Sequence, residues 1–271
     1  MIIDFHSHCF PDSLAPRAME SLLRTTSCDE ISVAHHTNGT AKDAERLLKS
    51  AGISGAVICN IATNTRQEHN VNSFAISMKE CSDFFSPLGS LHPDSAEKES
   101  ELCRLSNAQI RGVKLHPDYV GIPIIDRRFD AIFSLLEEHG FFAVVHAGLD
   151  PISPNFVHAT PKMLKEVVKN HPNLKLVAAH MGGLRRSSEV IRELVGTNIY
   201  IDTSLSSLRE DETENLYKIL NEHNPDRILF GTDTPWSDPV SERKFIENAP
   251  ISDKLRKKIF SENAKSLLGL K

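Results

Sequence analysis

Short apolar, β-branched segments alternate with amphipathic segments from one end of the chain to the other. Most of the apolar segments are near-continuous runs, which is typical of parallel strands covered on both faces rather than of half-exposed antiparallel strands. We therefore predict eight strands, at 1–8, 54–62, 84–93, 110–117, 141–148, 174–183, 199–204 and 227–233.

The segments between these strands carry apolar residues at helical spacing. Ala44, Leu47, Leu48 and Ala51 form one apolar stripe before the second strand. Similar stripes predict helices at 71–78, 129–136, 163–168 and 216–220, and 251–270 predicts a closing helix. The third of these begins with a hydroxyl residue followed by proline at 160–161, which is a typical helix start.

Strands that alternate with helices over about 250 residues predict a (β/α)₈ TIM barrel, an α/β fold. The length of 271 residues also suits two small domains, but no linker or repeat splits the chain, so we predict one domain over 1–271. A doubly wound sheet would carry a GxGxxG turn after the first strand, and "DFHSHCF" has none. The connection from Cys9 to about Thr40 is predicted to be a long loop covering the active site.

Metal-binding residue types stand at the C-terminal ends of several predicted strands. His6 and His8 end the first strand, and they face the same way because strand residues two apart share a face. His146, His180 and Asp233 end the fifth, sixth and eighth strands. In a barrel these ends converge on one mouth, and three imidazoles with a carboxylate are typical ligands of a zinc-like ion. The sequence therefore predicts a metal site at the mouth.

Other polar residues near the mouth have less specific patterns. Lys114 on the fourth strand fits a partner for a substrate carboxylate, a buried amine paired with an acid, or a carbamylated bridge between two metal ions. His92 is a candidate pocket residue at the end of the third strand. Arg185 fits either a clamp for an acidic substrate or a surface helix start, and Trp236 either lines the mouth or pins its loop.

The composition of the chain limits the classes of partner and the cellular compartment that we expect. The net charge of −5 and the absence of a basic tail argue against nucleic acid as a partner, and no run approaches the roughly 20 apolar residues of a membrane span. The scattered cysteines predict free thiols, and with no signal-peptide pattern we expect a cytoplasmic protein that acts on a small molecule. Cys9 is predicted to point away from the histidine pair and to pack. The oligomeric state is left open, with a homodimer among the options.

Six motifs together resemble a known family: "DFHSH", "GVKLHPDY", "VVHAG", "AAHMGG", "ILFGTDTPW" and "ENAKSLLGL", in this order. With them the chain resembles the amidohydrolase superfamily, in the amidohydrolase-related branch (amidohydrolase-2) that includes aminocarboxymuconate-semialdehyde decarboxylase-like enzymes. The resemblance implies a divalent metal, usually Zn²⁺, held by His6, His8, His146 and Asp233. His180 would stand beside it as an acid, an electrophile or a ligand of a second metal.

The resemblance leaves the number of metal ions open. Phosphotriesterase-like relatives carry a carbamylated lysine on strand four, and TatD-like nucleases carry an acid there. Lys114, with His116 and His180, is therefore a candidate for binding a second metal or the substrate. We expect one ion, because decarboxylase-like relatives manage without a bridging group, and Mn²⁺ is the alternative to Zn²⁺.

Two reactions fit such a site. The first expectation is hydrolysis of an amide, lactone or ester-like bond through a metal-activated water, with Asp233 as the proton shuttle. The alternative is non-oxidative decarboxylation of a small aromatic or unsaturated carboxylic acid. A barrel that holds metal without catalysis is a third reading, although structural zinc sites are usually closed and rich in cysteine.

Overall fold

Eight parallel strands form one sheet whose order follows the chain from β1 to β8. The computed structural model describes residues 1–26 and 34–270. Each predicted strand is confirmed, with shorter bounds: β1 Ile3–Ser7, β2 Gly55–Cys59, β3 Phe85–Ser90, β4 Gly112–Leu115, β5 Phe142–Val145, β6 Lys175–Ala178, β7 Tyr200–Asp202 and β8 Ile228–Leu229. With helices between the strands, this is the predicted (β/α)₈ barrel.

Backbone contacts join the first strand to the segment around the last strand. The Phe5 N–H donates to the Phe230 carbonyl at 2.6 Å, and the Asp233 N–H donates to the His6 carbonyl at 2.7 Å. The sheet therefore closes on itself, and the ends of β1 and β8 lie side by side at the mouth.

Helices occupy the connections and bury the predicted apolar stripes. In the helix before β2, for example, Ala44 and Leu48 are fully buried, and Thr40 caps the first turn with its side chain. No helix in the described parts of the chain is long and apolar enough to cross a membrane. The helices are α1 Ala15–Thr26, α2 Ala41–Ser50, α3 Thr65–Cys81, α4 Lys98–Asn107, α5 Pro117–Val120, α6 Arg127–Glu138, α7 Pro161–Asn170, α8 Ser187–Glu193, α9 Thr213–Glu222, α10 Pro239–Asn248, α11 Asp253–Lys257 and α12 Asn263–Leu268.

Two connections differ from the sequence prediction. The long loop after β1 contains α1, because Ala15 and Met19, one helical turn apart, are buried against the barrel. Residues 27–33 of this connection, including Cys28, lie outside the described residues. The closing helix is interrupted by a π-helical turn at Lys258–Glu262, between α11 and α12.

The strands bury both of their faces. In β5, Phe142 and Val144 belong to a cluster inside the barrel, whereas Ala143 and Val145 belong to the larger cluster between the sheet and the helices. This alternation explains the near-continuous apolar runs of the sequence. The apolar filling inside the barrel leaves the polar strand ends grouped at the mouth.

Candidate active site

A β-bulge in β1 turns the histidine pair toward the barrel interior. Asp4 pairs with Ala56 of β2 and Ser7 pairs with Ile58, so β1 advances three residues while β2 advances two. Phe5 lies inside the barrel with the apolar filling, and regular alternation would point the next side chain outward. The extra residue re-aims the side chains that follow it. His6 therefore also faces the interior, where it meets residues of β4 and β7.

His6, His8 and Asp233 bring their ligand atoms within 4.8 Å of one another. Asp233 Oδ1 lies 3.0 Å from His8 Nε2 and 3.4 Å from His6 Nε2. Asp233 adopts a left-handed backbone conformation, with φ of 66°, just after β8. Burial acts to raise the pKa of Asp233, but the neighbouring His6, His8 and Lys114 together outweigh it, and the pKa is lowered. We call these three residues the β1–β8 trio.

The hydrogen bonds behind the β1–β8 trio fit it to a cation. His8 Nδ1 lies 2.9 Å from the Cys59 carbonyl, which can only accept, so Nδ1 carries the proton. His6 Nδ1 donates in the same way to Asp202 Oδ2, at 2.8 Å. With its proton on Nδ1, each ring presents an Nε2 that is able to accept toward the carboxylate of Asp233. Acceptor atoms facing one another at these distances fit a shared divalent cation, and the donor set suits zinc.

His180 belongs to a second group, with His6 and Asp202. His180 Nδ1 lies 2.8 Å from Ser204 Oγ, and the Ser204 hydroxyl also contacts Asp202 Oδ1. His180 stacks on the His6 ring with centroids 5.0 Å apart. Burial, followed by the neighbouring imidazole of His146, lowers the pKa of His180 well below its usual range.

His146 lies beside the β1–β8 trio, in a third group with His116 and Asp150. His146 Nδ1 is 3.1 Å from His180 Nε2, and its Nε2 is 3.4 Å from Asp150 Oδ2. Neither His146 Nε2 nor His116 Nδ1 has a hydrogen-bond partner among the described residues. The two rings stack with an interplanar angle of 14°. Near-parallel rings cannot both direct an in-plane lone pair at one ion, so the structure favours at most one of them as a ligand in this arrangement.

Lys114 places a buried ammonium group against the β1–β8 trio. Its side chain is 1% exposed, and Nζ lies 3.0 Å from His6 Nε2. Within residues 1–26 and 34–270, no carboxylate forms an ion pair with it. Burial, followed by the charge of Lys114, lowers the pKa of His6 well below its usual range.

Comparison with known proteins identifies the family. The family model described as "Amidohydrolase" matches residues 3–270, nearly the whole chain. The chain belongs to the amidohydrolase family. It is thereby a metal-dependent enzyme, in agreement with the resemblance of its motifs and with the acceptor atoms of the β1–β8 trio.

Similar proteins include decarboxylases. A γ-resorcylate decarboxylase from Polaromonas sp. (strain JS666) is 31% identical over 134 residues, which are 42% of this amidohydrolase and 40% of that protein. The chain thus spans less than half of the curated relative that it matches.

Two solved structures share the whole fold. An uncharacterised TIM-barrel protein from Bordetella bronchiseptica has a TM-score of 0.77 and 19% identity, covering 99% of this chain and 98% of that chain. Another is a dihydroxybenzoic acid decarboxylase from Polaromonas sp. JS666, solved with bound manganese and the inhibitor 2-nitroresorcinol. It has a TM-score of 0.68 and 17% identity, covering 99% of this chain and 96% of that chain.

Of the remaining candidates of this amidohydrolase, the structure separates Arg185 and His92 from the β1–β8 trio and places Trp236 next to it. Arg185 is half-exposed and forms an ion pair with Asp211 at 2.5 Å, so it lies at the surface. The contacts of His92 are with Glu68 and with its own loop. Trp236 is partly buried, and its N–H donates to the Asp233 carbonyl at 2.8 Å, which fixes the turn that carries the carboxylate.

Cys9 packs in the core as predicted. Its side chain is buried with the residues between the sheet and the helices. Burial raises the pKa of its thiol to about 12.

The sequence analysis missed Ser204 and three further polar residues of the site. Asp202 ends β7 in "IYIDTS", and the strand-end rule that selected His146 would have selected it as well. Asp150 lies in a loop four residues after His146, where only the folded contact reveals it. Arg209 lies in the connection after β7 and has no sequence signal, yet it is fully buried and donates to the His180 carbonyl.

Proposed function

We propose that this amidohydrolase is a metal-dependent decarboxylase that removes carbon dioxide, without oxidation, from a small aromatic or unsaturated carboxylic acid. The observation that carries the proposal is Lys114, a buried ammonium group beside the β1–β8 trio with no carboxylate paired to it in the described chain. A buried charge is costly unless it is paired. An anionic substrate would supply the missing partner, whereas a neutral ester or amide would not.

The comparisons support this reaction over hydrolysis, which the sequence analysis put first. The curated relative and one solved structure of the same fold are named as decarboxylases of hydroxylated benzoic acids. Because the aligned length is short and the sequence identity of the solved structure is low, these two names support the class of reaction and not a particular substrate. The substrate class here rests on the charge of Lys114.

Two histidines and one aspartate would hold the cation. His6 and His8 would bind it through Nε2, and Asp233 through its carboxylate. When bound, a divalent cation supplies a Lewis acid that anchors an oxygen of the substrate. We propose one ion per chain, held by the β1–β8 trio, with an unmodified Lys114. Zn²⁺ suits the donor set, and Mn²⁺ is the alternative suggested by the bound manganese of the structural neighbour.

His180 is placed to deliver the proton that decarboxylation consumes. Loss of carbon dioxide from a carboxylate requires one proton at the carbon, because the electrons of the broken carbon–carbon bond return to the substrate. His180 is neutral at rest since burial lowers its pKa, and the charge of a bound carboxylate would favour its imidazolium form. In this scheme Lys114 binds the substrate carboxylate and His180 Nε2 transfers the proton.

Hydrolysis is the second candidate, and Asp233 is the observation that favours it. Its pKa is lowered, so the carboxylate is ionised at neutral pH and able to accept a proton from an attacking water. The two reactions share the cation-binding residues and differ in their products.

A product assay separates the candidates. Purified protein, loaded separately with Zn²⁺ and Mn²⁺, is incubated with γ-resorcylate, an unsaturated dicarboxylic acid, a lactone and an aryl ester. Carbon dioxide release and acid release are measured in parallel, and bound metal is counted by elemental analysis. We expect carbon dioxide from a carboxylic acid, no acid from the lactone or ester, and one ion per chain.

The controls are chelator-treated protein and Asp233→Asn, both of which should lose turnover. Acid release from the lactone or ester without carbon dioxide would instead establish the hydrolase. Turnover with neither class, by protein that holds one ion, would favour a barrel that binds metal without catalysis. Two ions per chain with a carbamylated Lys114 would overturn the single-ion assignment.

A further inference from the structure

Asp202 contacts both histidines of the proposed chemistry, through different oxygens. The side chain ends β7 and is fully buried. Oδ2 accepts from His6 Nδ1 at 2.8 Å. Oδ1 accepts from the backbone N–H groups of His180 and Ser204, both at 3.1 Å, and from the Ser204 hydroxyl.

The His6 side of this arrangement sets a tautomer. A carboxylate only accepts, so His6 carries its proton on Nδ1 and leaves a lone pair on Nε2, which lies 3.0 Å from Lys114 Nζ and 3.4 Å from Asp233 Oδ1. A histidine that binds metal usually donates its other ring nitrogen to a group of this kind, which fixes the ring and raises its basicity.

The His180 side runs through one hydroxyl. Ser204 has a single hydroxyl proton, which it donates in a hydrogen bond to Asp202 Oδ1. The Ser204 oxygen is then left to accept from His180 Nδ1 at 2.8 Å. His180 Nε2 consequently carries a lone pair, with which it can take up the proton that it would later deliver to the substrate carbon.

Backbone contacts keep this arrangement compact. The Met181 N–H donates to the Asp202 carbonyl at 2.7 Å, next to His180 with its left-handed φ of 57°. Gly231 allows His6 and Asp202 to approach, since a Cβ there would lie 3.0 Å from His6 Cβ and 3.3 Å from Asp202 Oδ1.

We infer that Asp202 is a positioning residue that prepares two histidines for different tasks: His6 for binding the cation through Oδ2, and His180 for proton transfer through Oδ1 and Ser204. The His6 and His180 assignments rest on the proposed function, whereas the two tautomers follow from the contacts alone. The inference therefore predicts that the two tasks can be damaged separately.

Asp202→Asn should damage cation binding. The amide oxygen of asparagine is expected to face the three donors around Oδ1, so the amide NH₂ faces His6 Nδ1. A donor at that position forces the His6 proton to Nε2 and removes the lone pair from the β1–β8 trio. We expect Mn²⁺ affinity, measured by calorimetry, to fall about 10- to 100-fold.

Ser204→Ala should spare cation binding and damage turnover. His180 loses the acceptor at Nδ1, while His6 Nδ1 loses only a 3.4 Å contact with Ser204 Oγ and keeps its 2.8 Å bond to Asp202. We expect Mn²⁺ affinity to stay within about twofold, and kcat on the carboxylic acid substrate to fall about tenfold with KM unchanged. Ser204→Thr keeps the hydroxyl and should restore kcat.

A measurement on metal-free, substrate-free protein tests the tautomers directly. Nitrogen-15 NMR of histidine-labelled protein should show His6 protonated at Nδ1 in the native chain and at Nε2 in Asp202→Asn, with His6→Gln used to assign the signal. Circular dichroism melts check that each variant folds. The outcome of this measurement does not depend on whether the protein is a decarboxylase.

Three outcomes would overturn the inference: an unchanged His6 tautomer in folded Asp202→Asn, an equal loss of Mn²⁺ affinity in both variants, or no recovery of kcat in Ser204→Thr. Absence of decarboxylation with the expected tautomers and affinities would overturn only the proposed function.

Discussion

Two different acceptors orient the histidines of the first strand. The backbone carbonyl of Cys59 accepts from His8 Nδ1, and the side chain of Asp202 accepts from His6 Nδ1. A carbonyl is retained under any side-chain substitution, whereas Asp202 depends on one residue type. We therefore expect a side-chain substitution at position 202 to change the chemistry of the site more than a substitution at position 59.

Substitution of Lys114 tests the origin of substrate affinity. Lys114→Met keeps an unbranched side chain of similar length and removes the charge. The variant should fold, because burying an uncharged side chain costs less free energy than burying a charged one. We expect KM for the carboxylic acid to rise about 10- to 150-fold, the range that a lost charged hydrogen bond of about 1.5–3 kcal/mol produces. Steady-state kinetics of carbon dioxide release measure this change.

Lys42→Met, at an exposed position of α2, is the matched control and should leave KM unchanged. An unaltered KM in folded Lys114→Met would remove the argument for an anionic substrate.

At the scale of elements, the sequence predicts the order of strands and helices better than it predicts local irregularities. The apolar runs give all eight strands, because both faces of each strand are buried. The bulge between Asp4 and Ser7 leaves no mark in that pattern, since it depends on the pairing of β1 with β2. The spacing of Ala15 and Met19 does indicate helix α1. The amphipathic stretch is short and lies within a long polar connection, so the helix was not predicted.

The same distinction applies within the candidate site. His6, His8 and Asp233 could be predicted because strand ends of a barrel converge on one mouth. Their fine arrangement could not, because the placement of His146 beside Asp150, rather than among the trio, depends on loop geometry after β5.

The turn between β6 and α8 is held by a buried ion pair. Arg209 donates to the carbonyls of His180 and Gly183, at 3.0 and 3.2 Å, and to Glu212 at 2.8 Å. Glu212 also accepts from the Ser187 N–H, at the start of α8. Burial acts to raise the pKa of Glu212, but the hydrogen bonds from Arg209 and Ser187, together with the charge of Arg209, outweigh it and lower the pKa to about 2.

This ion pair predicts a component of acid stability. A carboxyl group whose pKa is depressed in the folded state stabilises that state above its unfolded pKa, and the contribution is lost as the pH falls toward the folded pKa. Glu212→Gln should therefore lower the free energy of unfolding by about 2 kcal/mol at pH 7. The difference from the native chain should shrink between pH 4.5 and pH 2.

Urea denaturation at pH 7, 5 and 3 measures the effect, and Glu222→Gln at an exposed position is the control. A difference between Glu212→Gln and the native chain that stays constant over this pH range would show that the ion pair is not its source.

At the scale of the whole molecule, the β1–β8 trio spans the closure of the barrel. His6 and His8 come from the first strand, and Asp233 follows the last. Asp4, also of β1, accepts from the Thr232 N–H at 2.9 Å and strengthens the same junction. A cation bound there would connect the two ends of the sheet.

Cation binding should consequently stabilise the entire fold. A ligand that binds only the folded state at 100 times its Kd adds about 2.7 kcal/mol, which raises the Tm of a protein of this size by several degrees. We expect Zn²⁺ or Mn²⁺ to raise the Tm of chelator-treated protein, as followed by circular dichroism.

Asp233→Asn should lose this rise, whereas Asp253→Asn, at a fully exposed position, should keep it. An equal rise in Asp233→Asn would mean that the stabilising ion binds elsewhere.

The closure of the barrel also sets a time for metal acquisition during synthesis. The ribosome makes the two histidines almost at once, but Asp233 follows 225 residues after His8. A nascent or truncated chain that lacks the end of β8 therefore holds two ligands without the third. We therefore expect the cation to bind at this site only after β8 and Asp233 have been synthesised.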